Sequence, residues 1–155
     1  MNRYLLDTSI LLAYLRGHAL YRQIEKDHQL ASPEAVILIS VATKAELMSI
    51  AMQNKWGEKK IKLLDAQLNK LIIIDINEAD RSLMEAYANI DAFSQGRLDG
   101  KPLGTSARNM GKNDLCIAAT AHVTNSTLIT TDGDFDHLNG QFINLIKYKL
   151  PAANS

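Results

Sequence analysis

The sequence predicts a single α/β domain, a doubly wound parallel sheet with helices on both faces. Three observations carry that expectation. Five short runs are apolar throughout rather than alternating, as strands covered on both faces of a parallel sheet are. Helical segments lie between them, so the order strand, helices, strand recurs along the chain. The length of 155 residues suits one domain.

The first strand is expected over Arg3–Leu6, followed by a helix over Ile10–Arg16 that Gly17 stops and a second helix over Ala19–His28. A second strand at Val36–Val41 leads into helices at Lys44–Asn54 and Glu58–Leu68, and a third strand at Leu71–Asp75 into a helix at Glu78–Ala92. The stretch Ser94–Lys112, with Gly96, Gly100, Pro102, Gly104 and Gly111, reads as a long surface loop. Loops of this length inside a compact domain are usually functional or mobile. A helix at Asp114–Val123, a fourth strand at Thr127–Thr131 and a fifth at Phe142–Ile146 complete the domain, taken as residues 1–150, and Pro151–Ser155 reads as a flexible tail.

Composition narrows the function. Hydrophobic residues make up 46% and charged residues 22%, an ordinary globular balance far from the compositions that stay disordered. No apolar stretch approaches the roughly 20 residues that a membrane helix needs. Asp7 interrupts the N-terminal apolar run before it could serve as a secretory signal, so a cytoplasmic protein is expected. The lone Cys116 permits no internal disulfide and no cysteine-rich zinc site. Lys plus Arg and Asp plus Glu each total 17, so no global positive charge advertises a nucleic-acid partner. An enzyme that clusters carboxylates to hold metal ions can still be neutral, because the ions reverse the local field.

Placement of the acids is the most informative feature. Asp7 directly follows the first strand and Asp132 the fourth. In a parallel sheet each helix starts at the edge where the strands end, and ligands bind at that edge. Glu46, about one turn into the helix after the second strand, and Asp114, which opens a later helix, therefore share the rim with Asp7 and Asp132. Each acid alone has an ordinary explanation. Thr43-Lys-Ala-Glu46 has the spacing of a capping box, Asn113-Asp114 and Asp7-Thr8-Ser9 could cap helices, and Asp132-Gly133 could form a turn. Independent caps have no need to fall on one edge of one sheet. Asp114 also heads the stripe Ile117, Ala118, Ala121 that faces the core. Four carboxylates in one place repel one another unless cations bind, and hard cations such as Mg²⁺ or Mn²⁺ suit them.

Ions held this way polarise a phosphoryl oxygen and activate water for in-line attack, which suggests phosphodiester hydrolysis. A glycosidase needs only two carboxyl groups and is a weak competitor. His18, His28, His122 and His137 do not have zinc-site spacing, and Cys116 lacks a local activating motif.

Leu5-Leu-Asp7-Thr-Ser9, Glu46, Asn113-Asp114-Leu-Cys-Ile-Ala-Ala-Thr-Ala121 and Leu128-Ile-Thr130-Thr-Asp132-Gly-Asp-Phe135 together resemble a PIN domain. The resemblance is closest to the VapC-like toxin ribonucleases of type II toxin–antitoxin pairs, and it spans nearly the whole chain. It implies a Rossmann-like, five-stranded parallel sheet in the order 3-2-1-4-5, Mg²⁺ or Mn²⁺ at the acids, and endonucleolytic cleavage of RNA. It also implies an inhibitory antitoxin partner and a homodimer. Asp7, Glu46, Asp114 and Asp132 match the family's acidic quartet, and Thr130 the threonine that positions the last carboxylate. Asp134 stands as an accessory acid. Ser9 falls where relatives carry Asn and is expected to orient Asp7 or a metal-bound water, with an ordinary helix cap as the alternative. A catalytically silent PIN-like scaffold and another Rossmann-like phosphohydrolase remain as competing outcomes. A haloacid-dehalogenase-type enzyme would need an acid at position 9, which is Ser9. Lys55, Lys59, Lys60 and Lys62 near one helix start, and Lys101, Arg108 and Lys112 in the long loop, are candidate phosphate contacts, with a solvated charged face as the ordinary use of most of them.

Overall fold

The computed structural model describes residues 2–150; the expected tail 151–155 lies outside the described residues. Five parallel strands form one sheet in the order β3-β2-β1-β4-β5. The strands are β1 (Asn2–Leu6), β2 (Ala35–Ser40), β3 (Ile72–Ile74), β4 (Thr127–Thr130) and β5 (Asn144–Lys147). The helices are α1 (Thr8–Leu15), α2 (Ala19–His28), α3 (Val41–Gln53), α4 (Glu58–Leu68), α5 (Arg81–Ser94) and α6 (Lys112–Val123), with a six-residue 3₁₀ helix, η (Gly133–Leu138), between β4 and β5.

Alternation of side chains along a strand explains why apolar runs build this sheet. Leu5, Leu38 and Leu128 sit side by side across β1, β2 and β4 and point to one face, where they pack with Ile90, Phe93 and Ile117 of α5 and α6. Their neighbours Leu6, Ile39 and Ile129 point to the other face, against Ile10, Ile24, Leu47 and Leu64 of α1 to α4. Each central strand thus feeds two cores, and a polar residue on either face would be buried. From β1 the chain goes out to β2 on one side, and it returns to β1's other side as β4. That reversal opens a crevice at the carboxyl ends of β1 and β4.

Several boundaries differ from expectation for identifiable reasons. Helix α3 starts at Val41 rather than Lys44, because the Ser40 hydroxyl at the strand end accepts the Ala42 N–H at 3.1 Å and caps the helix with no intervening loop. Helix α5 starts at Arg81 because Asp80 caps it, its carboxylate accepting the Leu83 N–H at 3.1 Å. Helix α6 begins two residues before Asp114, after Gly111. The segment after Asp132, read from sequence as a turn, winds into η and buries Phe135 and Leu138. Strand β5 starts at Asn144 instead of Phe142, because Phe142 packs against the core beside Phe93.

The long loop is 95–111, and it is pinned at both ends of its span. The Arg108 N–H donates to Ser94 O at 2.7 Å, and the Lys101 ammonium donates to Gln141 O at 3.0 Å while lying 4.6 Å from the Phe142 ring centroid. Met110 is buried. The loop therefore forms a wall fixed against η. Among the described residues, no helix is long and apolar enough to cross a membrane.

Candidate metal and catalytic site

The crevice between β1 and β4 is where the acids are found. Asp7 continues β1 by one residue, its N–H donating to Ile129 O of β4 at 3.0 Å, and then caps α1. Burying a carboxylate there is tolerable only if its oxygens are hydrogen-bonded. They are: Oδ1 accepts the Thr8 N–H at 2.7 Å, and Oδ2 accepts the Thr130 hydroxyl at 2.6 Å and the Ser9 hydroxyl at 3.3 Å. Burial raises the Asp7 pKa and these three donors oppose the rise, while the charge of Asp132 adds to it.

Thr130 and Ser9 tie the two sides of the crevice together. The buried Thr130 hydroxyl, besides donating to Asp7, accepts the Asp132 N–H at 3.0 Å. The Ser9 hydroxyl, besides donating to Asp7, accepts the Thr131 N–H at 3.2 Å. The strand β4 threonine thus fixes Asp7 as well as the backbone of Asp132, and Ser9 orients Asp7 while bridging to the opposite strand end.

The capping-box alternative for Glu46 does not form. Ser40 caps α3, and Thr43 is buried with its hydroxyl accepting from the Thr8 hydroxyl at 3.3 Å. Glu46 is instead a half-buried carboxylate in the second turn of α3. Burial and the charge of Asp7 push its pKa up, and the Thr8 and Asn113 side chains pull it down. Asp114, in the first turn of α6, is the most perturbed of the acids. Its pKa is pushed up to about 7 by burial, followed by the charges of Asp7, Asp132, Asp134 and Glu46. A group that registers all four other acids stands at the electrostatic centre of the cluster.

Asp132 caps η, accepting the Asp134 N–H on Oδ1 at 3.0 Å. That turn brings Asp134 back beside it. Asp114, Asp132 and Asp134 each present a carboxylate oxygen, and these oxygens lie within 4.8 Å of one another. The tightest trio therefore contains Asp134, which sequence reasoning held as accessory. Asp7 and Glu46 stand beside the trio. The Asp132-Gly-Asp134 spacing was the available signal, because an acid two residues past a capping Asp returns to the same side of the turn.

An all-oxygen, all-anionic donor set suits Mg²⁺ or Mn²⁺. Burial contributes most to the upward pKa shift of Asp114 and the neighbouring carboxylates the rest, a charge that a divalent cation would offset. The residues present fit a divalent ion.

The remaining titratable candidates are engaged elsewhere. His18 caps α2, and His28 pairs with the Tyr148 hydroxyl at 2.8 Å. His122 bonds Phe142 O at 2.7 Å, and His137 Nε2 pairs with the buried Ser94 hydroxyl at 2.7 Å. Cys116 is half-buried on α6, and burial pushes its thiol pKa up, away from reactivity.

A crossover sheet with acids gathered at its switch point defines the class as an α/β protein with a carboxylate cluster at its ligand-binding edge. The profile of the PIN domain family matches residues 4–141, and the chain belongs to that family. Its fold is VapC-like. It is similar to a chain of VapBC2 from Rickettsia felis, solved bound to a DNA fragment from the promoter, with 26% identity, 95% of this chain and 99% of that chain covered, and a TM-score of 0.72. It is similar to a chain of VapBC-1 from nontypeable Haemophilus influenzae, at 25% identity over 94% of this chain and 97% of that one, with a TM-score of 0.69. A toxin–antitoxin complex from Klebsiella pneumoniae, at 21% identity, 95% and 99% coverage and a TM-score of 0.65, shares the fold. The comparison with curated proteins finds no match.

Proposed function

We propose that this chain is a divalent-metal-dependent endoribonuclease and the toxin of a type II toxin–antitoxin pair, acting in the cytoplasm. The observation that carries the proposal is the gathering of Asp114, Asp132 and Asp134 within 4.8 Å, with Asp7 and Glu46 close enough to raise the pKa of Asp114. A cluster so costly in like-charge repulsion has a chemical use when a cation neutralises it. The VapBC complexes among the structural relatives support the toxin assignment and an antitoxin partner, and RNA as substrate is part of the proposal.

Asp7, Asp114, Asp132 and Asp134 would hold the ion, with Glu46 completing the site or holding a second one. Mg²⁺ or Mn²⁺ bound there would lower the pKa of water and neutralise charge developing on the phosphate. The protein's own contribution is to hold the ligands still. The Thr130 hydroxyl keeps Asp7 Oδ2 directed into the crevice and fixes the Asp132 backbone, so two ligands from different strands move as one unit. Ser9 closes the same span from the other side. Where Glu46 does not itself hold an ion, its raised pKa would suit it to take a proton from the attacking water. A homodimer is part of the proposal and would extend the crevice for a longer RNA.

The test is cleavage of structured and single-stranded RNA by purified protein with Mg²⁺, Mn²⁺ or EDTA, beside Asp7→Asn and Asp114→Asn. Cleavage that requires the metal and is lost in both variants is expected. Cleavage surviving EDTA or both substitutions would overturn the metal mechanism. RNA binding without cleavage in any condition would make the chain a PIN-like scaffold.

A further inference from the structure

The crevice holds five carboxylates, and a nucleic-acid backbone carries one negative charge per nucleotide, so a cation of the protein close to the acids would add to the hold that the proposed metal ion has on the substrate. The overall charge is balanced, with 17 Lys plus Arg against 17 Asp plus Glu, and supplies no general attraction. A basic residue beside the crevice would supply it locally.

The structure separates the candidates: Lys55, Lys59 and Lys112 are not among the residues that line the cavity beside Asp134. Lys101 is committed to Gln141 O and to the faces of Phe142 and Phe93. Lys60 lies over Trp56, and Lys62 pairs with Glu58, both on α4. Lys147 is paired with Asp136 at 2.7 Å. Arg108 differs from all of these. Its backbone is fixed by the hydrogen bond to Ser94 O, and the next residue but one, Met110, is buried in contact with the Ser94 hydroxyl. Its guanidinium reaches the first residue of η, donating to Gly133 O at 3.3 Å, between Asp132 and Asp134 in sequence. Among the described residues, no carboxylate lies within salt-bridge distance of it. A cavity of about 360 Å³ opens there, lined by Arg108, Asn109, Met110 and Asp134. One wall of this cavity is thus an acid of the trio and another is an arginine with most of its donors free.

We propose that Arg108 is a substrate-binding residue that grips a backbone phosphate of the RNA next to the one being cut, with the 95–111 loop as the wall that carries it. The inference takes the site to be the ribonuclease centre proposed above. The cavity beside Asp134 gives a phosphate room to lie between the guanidinium and the metal ligands. Arginine's planar fork offers two parallel N–H donors to phosphate oxygens, and the pinned loop keeps the fork in place before substrate arrives. Because the contact is to backbone and not to a base, it supplies affinity and register rather than sequence preference.

The test compares wild type, Arg108→Gln, Arg108→Lys and Lys101→Gln. Binding of a fluorescein-labelled single-stranded RNA of mixed sequence is followed by anisotropy in Ca²⁺ from about 50 to 200 mM salt. Cleavage of the same RNA is followed in Mg²⁺, and melting temperature is recorded for each protein. Arg108→Gln is expected to weaken binding about tenfold, to lower the slope of log K against log salt by about one and to raise KM with kcat little changed. Arg108→Lys recovers the slope and part of the affinity, and the melting temperature of Arg108→Gln stays within about 2 °C of wild type. Binding and slope unchanged in Arg108→Gln, or a loss of affinity with the slope intact, would overturn the role of Arg108 even if wild type cuts RNA. Conversely, binding that depends on Arg108 with no cleavage by wild type would overturn the nuclease activity and leave this contact standing. Neither binding nor cleavage would overturn both.

Discussion

Replacing Asp114 by Asn separates two properties that the site couples, stability without metal and the capacity to hold it. In the metal-free protein the Asp114 pKa is pushed from 3.8 to about 7 by burial and by the four surrounding acids. Between those two values the folded state binds a proton that the unfolded chain has released, so stability falls as pH rises through that window. A rise from 3.8 to about 7 corresponds to about 4 kcal/mol. Asp114 is half-buried, and solvent screening brings the expected cost of its ionised form nearer to 1–2 kcal/mol. Asn keeps the shape without the charge. At pH 8 in EDTA, Asp114→Asn is therefore expected to melt about 2–8 °C above wild type. The gap should close towards pH 4–5, where folded wild type carries the proton. Mn²⁺ should raise the wild-type melting temperature and leave the variant almost unmoved. Scanning calorimetry across pH, with and without Mn²⁺, measures all three. A variant that is less stable than wild type at pH 8, or a gap that widens on acidification, would refute the like-charge argument.

Three further outcomes follow from the same geometry. Thr130→Val removes the buried hydroxyl shared by Asp7 and the Asp132 N–H; denaturant unfolding should show a loss of about 1–3 kcal/mol, and RNA cleavage should fall more than tenfold. Glu46→Gln should leave thermal stability unchanged or raised, because no capping box depends on it, while single-turnover cleavage drops at least tenfold. A clear drop in melting temperature would restore a capping role to Glu46. Ser40→Ala, which removes the true cap of α3, should cost about 1 kcal/mol in denaturant unfolding without altering metal affinity measured by calorimetry.

The sequence by itself determined the sheet and the rim. Continuous apolar runs at Leu5-Leu6, Leu38-Ile39 and Leu128-Ile129 can only be strands buried on both faces, since each residue pair feeds opposite cores. Acids one and two residues past the ends of β1 and β4 then have to lie at the carboxyl edge. The family's motifs supplied the strand order, which local pattern alone does not encode, and the structure has that order. Local reasoning failed where capping decides a boundary: Ser40 and Asp80 each start a helix where periodicity placed the start three residues away, because one hydroxyl or carboxylate outweighs a short stretch of pattern. Only the tertiary structure decided how the acids are grouped. Asp134 joins Asp114 and Asp132 because η folds it back, and Asp7 is held by Thr130 from a strand far along the chain. It also decided that Arg108, one of several loop cations by sequence, lines a cavity with Asp134 while Lys101 is spent on aromatic rings and a carbonyl. Distances between side chains from separate strands and loops are set by packing, and no spacing along one chain contains them.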